Sequence, residues 1–254
     1  MDDNSRSAAG LTILTALAAE AETLAGRKKK TKEETIFVLE NRSPNGKVTT
    51  IVQCGIGSDT LLRVALPQLH DTLIVGNIGL SGGLAPDLEP GTVILGDQIL
   101  CSTHLHGEYS GIYTPSIKLL DNLESTLKKN GFPYRRGSLL CSSNPIENPK
   151  NKAEAYLKTG ALAVDMESAG AAEAARQAGL PFFCIRIVCD PARRRVEEKL
   201  FMGVDKEGNN QPIQLIIPLI REPWLLIQLF MMARDFSSGL SGMRQVWKLI
   251  RNSL

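Results

Sequence analysis

The chain has 254 residues, 43% of them apolar and 22% charged, the make-up of a globular protein long enough for one large core. Its 29 basic side chains nearly balance 27 acidic ones, and a formal charge of +2 gives no field that would favour nucleic acid as a partner. The polar, acidic start and the apolar run over 11–19 fit neither a secretory signal nor a bilayer span, and the five cysteines lack CxxC spacing, so reduced thiols in a cytoplasmic protein are expected.

Residues 1–10 read as a flexible N-terminus. A β-rich stretch over 12–17 then runs without Pro or Gly into the helix formers of 18–25, so a strand feeds a helix. The basic run over 27–32 is answered at once by Glu33 and Glu34 and reads as a solvated loop. Apolar runs over 36–40 and 48–52 flank Asn45-Gly46, a hairpin signal. After Cys54-Gly55-Ile56-Gly57, Ser58 or Asp59 is placed to cap a helix reaching about Leu69, with Pro67 disturbing its last turn. A short strand over 73–75 ends in Gly76-Asn77-Ile78-Gly79-Leu80-Ser81-Gly82-Gly83, read as a glycine loop, and a second strand covers 92–100.

Beyond it the pattern predicts a helix over 116–129, a strand over 138–141, a helix over 150–158 and a strand over 161–164. A helix over 167–178, closed by Gly179, leads to an apolar strand over 182–188. This alternation makes residues 11–200 a single α/β domain, with a mainly parallel but mixed central sheet flanked by helices. Residues 201–254 form a C-terminal helical extension in which Pro218 and Pro223 separate short helices. Its segment 224–236 has ten apolar residues among thirteen, too many for a one-faced surface helix and too few to cross a bilayer. It is expected to be covered by the domain, by a second subunit of a homodimer or higher homo-oligomer, or by a lipid-linked ligand at a membrane surface. Arg221, Arg234, Arg244, Lys248 and Arg251 suit an anionic membrane as well as water.

Open α/β sheets gather ligands beyond the carboxyl ends of their strands. Four features fall there: Glu20 past the first strand, the glycine stretch over 79–83, Asp165-Met166-Glu167, and Asp190. The glycines do not open a helix, which weighs against a dinucleotide-binding fold. Each acid alone has an ordinary role: a cap for Asp190, a dipole-favoured first-turn acid for Glu167, a surface position for Glu20. Their arrival at one edge makes them a candidate constellation. His104-Leu105-His106 is half a metal site without further ligands in sequence, so no metal is expected, and Arg193-Arg194-Arg195 reads as a solvated loop.

VDMESAGAAEAARQAGLPFFCIRIVCDPA over 164–192 resembles the signature block of the nucleoside phosphorylase and nucleosidase superfamily, in which a strand leads to a Met-Glu pair and a later strand ends in the catalytic Asp. The stretch over 14–24, CGIG at 54–57 and GLSGGLAPDLEPGTVILGD at 79–97 resemble its other core blocks in the same order. Within the superfamily the chain is most similar to the hopanoid-biosynthesis-associated purine nucleoside phosphorylase proteins, to which removal of adenine from adenosylhopane is ascribed. That narrower likeness rests on TGALAVDMESAG at 159–170, IRIVCDPA at 185–192 and the apolar tail after Arg221-Glu222-Pro223.

The resemblance implies cleavage of an N-ribosidic bond in a purine nucleoside, with no cofactor and with water or phosphate as co-substrate. Asp190 then protonates the base at N7, Glu167 holds the ribose hydroxyls, Met166 packs on the sugar and Glu20 holds the attacking water. Asp165, Leu80, Ser81, Gly82 and Ile146 would complete the substrate site. Phosphorolytic relatives carry an Arg and a Ser where Asn77 and Leu80 stand here, which favours water, although Ser81, Arg63 or the arginine triplet could rebuild an anion site. The rivals are a nucleosidase for small thioadenosines and a catalytically silent ligand-binding or membrane-docking protein of the same fold.

Overall fold

Strand β1 (Ala9–Thr15) starts inside the stretch expected to be flexible and passes into α1 (Ala18–Ala25). The computed structural model describes residues 9–26, 36–39, 48–102, 109–196, 205–209, 211, 214, 221–222 and 224–254. Residues 1–8, the basic run, the Asn45-Gly46 turn, His104-Leu105-His106 and both Pro218 and Pro223 lie outside the described residues. As the hairpin signal requires, β2 (Ile36–Leu39) pairs antiparallel with β3 (Val48–Gln53).

Helix α2 (Ser58–Ala65) gives way to a single 3-10 turn where Pro67 sits. Its N-cap is Gly57 at φ 93°, and neither Ser58 nor Asp59 caps it. The Ser58 hydroxyl instead donates to the Met166 carbonyl at 2.9 Å.

The largest departure from expectation is the glycine stretch. It is not a loop but most of a ten-residue strand, β4 (Ile74–Gly83), hydrogen-bonded in register with its neighbours. The glycines serve proximity rather than turning. A Cβ at Gly76 would lie 2.4 Å from the Phe183 ring and 2.6 Å from Ile13, so only a bare backbone lets both side chains close over the strand.

The remaining elements are β5 (Val93–Ser102), β6 (Tyr109–Tyr113), α3 (Ile117–Lys129), β7 (Arg135–Ser142), α4 (Pro149–Thr159), β8 (Ala163–Asp165), α5 (Ser168–Ala178) and β9 (Phe182–Asp190). Strands β4, β8, β7, β5 and β9 pair in a closed ring, from which β1, β3 and β2 extend one edge while β6 pairs with β5. Four pairings, β2–β3, β4–β8, β5–β6 and β5–β9, are antiparallel, so the sheet is more mixed than helix–strand alternation implied. Between β5 and β6 the connection is too short for a crossover helix, which forces an antiparallel return.

Side chains alternate across the sheet. Leu14 joins Val52, Leu61 and Ala172 in the core under α2 and α5, whereas Ile13 joins Leu24, Leu123, Val246 and Trp247 under α1, α3 and the C-terminal helix. That helix, α6 (Leu225–Ile250), is a single element of 26 residues and does not stop near Phe236. Ser237, Ser238 and Gly239 continue it, and the helix packs on the domain through its glycines. A Cβ at Gly239 would come within 2.8 Å of Leu80 and 3.0 Å of Cys189, and one at Gly242 within 2.7 Å of the Gly91 carbonyl. The C-terminal half of α6 is thereby covered by the domain, while Trp224, Leu226, Ile227, Phe230 and Met231 near its start stay exposed. Among the described residues no helix is long and apolar enough to cross a membrane.

Candidate active site

Glu20 is in the first turn of α1, where the chain leaves β1, and it is buried rather than on the surface. One carboxylate oxygen accepts the Ala16 and Leu17 N–H groups at 3.0 and 2.9 Å, closing the helix start onto itself. The other accepts the Leu80 N–H of β4 at 2.7 Å, so three main-chain donors orient one side chain. Burial raises its pKa above the ordinary carboxylate range despite these donors and the nearby Arg186 charge.

Asp165 ends β8 with both oxygens committed inside the protein. One accepts the Glu167 and Ser168 N–H groups and the Ser168 hydroxyl, and the other accepts from the Arg186 guanidinium. These bonds give Asp165 a supporting role: it shapes the turn that delivers Glu167. That turn places Glu167 at the N-cap of α5, where its carboxylate accepts the Gly57 N–H at 2.8 Å. Met166 is half-buried beside it. The approach of α2 to α5 depends on Gly170, where a Cβ would lie 2.2 Å from the Ser58 carbonyl.

Burial pushes the Glu167 pKa up to about 7; the Asp165 charge adds to this, while the Gly57 N–H and Arg186 oppose it and Glu20 adds slightly. The folded protein thus keeps the Glu167 proton to higher pH than the unfolded chain, whose carboxyl titrates near 4.5. Ionisation inside the fold therefore costs stability as pH rises through that window. Glu167→Gln is expected to melt higher than the parent at pH 8, by about 1–3 kcal/mol in stability, with the gap closing towards pH 5. Melting curves at a series of pH values check this, and a gap independent of pH would contradict it.

Asp190 closes β9. Its Oδ2 accepts from the Lys152 ammonium at 2.5 Å, and its Oδ1 is buried without a hydrogen-bond partner. Burial raises the Asp190 pKa, with Lys152 pulling the other way. The carboxyl group lies against Gly82, where a Cβ would be 3.6 Å from Oδ2, just as Gly79 leaves room for Glu20 and Arg186. Strand β4 is thus the spine of the site: β1, β8 and β9, which deliver Glu20, Glu167 and Asp190, all pair with it.

Leu80 contributes its N–H to Glu20 while its side chain packs in the core, and Ile146 packs among Leu84, Leu140, Ala155 and Val164. Ser81 Oγ is buried without a partner, a free polar atom on β4. Arg193 is bidentate on Glu89 and Arg194 pairs with Asp235, so this pair is spent on protein carboxylates, and Arg63 is exposed at the end of α2.

Two charged residues were missed. Arg186 sits fully buried in β9, bonded to Asp165 and to the Asn77 side-chain oxygen, while the Asn77 amide donates to the Leu14 carbonyl at 2.9 Å. A lone Arg inside an otherwise apolar strand was its signal. Lys152 lies in a polar helix that reads as solvated, and nothing in the local pattern marks it.

A glycine strand flanked by three buried or half-buried carboxylates, at the ends of neighbouring strands, places these acids where α/β sheets gather ligands. The chain belongs to the phosphorylase superfamily, whose family model matches residues 11–221. Among curated relatives it is 26% identical over 198 residues to the 5'-methylthioadenosine/S-adenosylhomocysteine nucleosidase of Haemophilus influenzae (strain PittEE), covering 70% of this chain and 84% of the relative. It is 27% identical over 143 residues to the S-methyl-5'-thioadenosine phosphorylase of Rhodospirillum rubrum, covering 52% and 47%. Among solved structures, the Neisseria meningitidis 5'-methylthioadenosine/S-adenosylhomocysteine nucleosidase in complex with methylthio-immucillin-A superposes with a TM-score of 0.69 at 16% identity, over 96% of this chain and 99% of that one. This last likeness speaks to the fold.

Proposed function

We propose that this protein cleaves the N-ribosidic bond of a 5'-substituted adenosine and releases adenine, with water as the nucleophile. The observation carrying the reading is Asp190: a half-buried carboxyl group anchored through one oxygen, with the other buried and unpartnered at the strand edge shared with Glu20 and Glu167. In the reaction the proton of Asp190 Oδ1 passes to purine N7. The C1'–N9 bond breaks with its electron pair leaving on adenine, and a water oxygen bonds to C1' as its proton moves to Glu20. Burial raises both carboxyl pKa values, with Lys152 pulling that of Asp190 the other way. Glu167, beside Met166, accepts the ribose hydroxyls and steadies positive charge as the sugar becomes oxocarbenium-like.

Water is favoured over phosphate because Asn77 is committed to Arg186 and Leu14, and Arg193 and Arg194 to Glu89 and Asp235. The free Ser81 Oγ favours the second reading, phosphorolysis. Incubating the protein with 5'-methylthioadenosine with and without phosphate, and identifying the sugar product, separates the two. The free sugar is expected in both arms; a sugar 1-phosphate formed only when phosphate is present would overturn the choice of water.

The finer part of the proposal is a large apolar 5' group, as in adenosylhopane, taken from an anionic membrane surface by a cytoplasmic protein. Supporting it, Ile227 and Phe230 on α6 are 66% and 73% exposed, Arg221 and Arg234 are exposed nearby, and the same helix packs through Gly239 beside Leu80 and Cys189 at the site. Higher catalytic efficiency with adenosylhopane in anionic vesicles than with 5'-methylthioadenosine is expected. The reverse order would assign the protein to small thioadenosines, and a dimer in light scattering that buries this face would replace the membrane contact.

A further inference from the structure

We infer that Lys152 is the positioning residue for Asp190, holding Oδ2 so that Oδ1 alone is left to present a proton to the leaving base; the inference deepens the proposed reaction and rests on it. Asn148 caps α4 by accepting the Asn151 N–H at 2.8 Å, and Pro149 occupies the first turn, which turns Lys152 inward. The side chain is 0% exposed. Its ammonium meets three acceptors for its three protons: Asp190 Oδ2 at 2.5 Å and the Pro191 and Arg194 carbonyls, both at 3.2 Å.

All three acceptors belong to the end of β9 and the turn directly after it, so one cation clamps both the carboxyl group and the backbone that carries it. No other polar group among the described residues competes for the acid. The Asp190 carboxyl group lies against Gly82, which has no side chain to offer, and its Oδ1 is buried without a partner. The Oδ2 contact fixes which oxygen can carry the transferable proton, since a proton on Oδ2 would face the ammonium. Once the proton has gone to the base, the same ammonium faces the carboxylate left behind and stabilises it.

The charged and titratable groups facing Asp190 are Lys152 from α4, Arg194 from the following turn, Asp235 from α6, and Cys189 on its own strand. Of these, Lys152 alone is bonded to the carboxyl group. An acid that works protonated loses activity as pH rises through its pKa. Removing the cation must move that limb upward and leave a weaker acid.

The test is the pH dependence of adenine release from 5'-methylthioadenosine by the full chain, comparing the parent with Lys152→Met, Lys152→Arg and Asp190→Asn. Lys152→Met is expected to lower kcat about tenfold or more and to shift the alkaline limb up by about 1–3 pH units. Lys152→Arg keeps the charge and is expected to leave the limb in place while lowering the plateau, and it serves by itself if the Met variant does not fold. Unchanged limb and plateau in the Met variant, or an upward-shifted limb in the Arg variant, would overturn the inference while Asp190→Asn remains inactive. Parent-like turnover by Asp190→Asn would instead overturn the acid assignment beneath it.

Discussion

Asp190→Asn is expected to fold normally and to release adenine about 10²- to 10⁴-fold more slowly than the parent, the range for loss of a positioned general acid. The amide is nearly isosteric with the carboxyl group, and its oxygen can still accept from the Lys152 ammonium in the place of Oδ2. What is lost is the proton that neutralises adenine as it departs. If the effect falls on the chemical step, kcat and kcat/KM drop together while KM stays within a few-fold. Circular dichroism establishes the fold, and a single-turnover assay reads the chemistry. Parent-like turnover would remove Asp190 from the mechanism.

The second large effect falls on stability. Arg186→Met leaves Asp165 as a carboxylate without its cation in the interior and takes the guanidinium donor from the Asn77 oxygen, which keeps the weak Cys184 thiol at 3.8 Å. Breaking one side of a buried pair costs about 3–5 kcal/mol, or roughly 6–20 °C in melting temperature for a domain of this size. Replacing both partners, as in Arg186→Met with Asp165→Leu, is expected to recover part of that loss, because no buried charge remains. Urea unfolding of the parent, the two single variants and the double variant measures the coupling. Additive losses would show that Arg186 and Asp165 act independently. Because Asp165 also orients the Glu167 and Ser168 N–H groups, the single variant is expected to weaken nucleoside binding as well.

Periodicity and caps made much of this architecture legible. The passage from β1 to α1, the Gly179 end of α5 and the full apolar strand β9 all carry local signals that tertiary packing reinforces. Glu20, Glu167 and Asp190 stand at strand and helix junctions, the carboxyl-end positions where open α/β sheets gather ligands. The glycine stretch was misleading because glycine marks both turns and close approach, and only the positions of Phe183, Ile13 and Arg186 decide between them. The length of α6 was hidden for the same reason: Ser237, Ser238 and Gly239 look like a terminus until β9 is placed beside them. Lys152 was illegible because its partner is 38 residues away and its helix neighbours are solvated. That both oxygens of Asp165 are committed depends on bonds to Arg186 and Ser168 that spacing does not encode.

The most direct test of the central claim is a crystal structure of the protein soaked with methylthio-immucillin-A, an analogue of the purine riboside. A base nitrogen is expected within hydrogen-bond distance of Asp190 Oδ1, with the sugar hydroxyls on Glu167 and an ordered water between Glu20 and the anomeric position. The analogue bound away from these three side chains, or bound among them with Asp190 turned from the base, would contradict it.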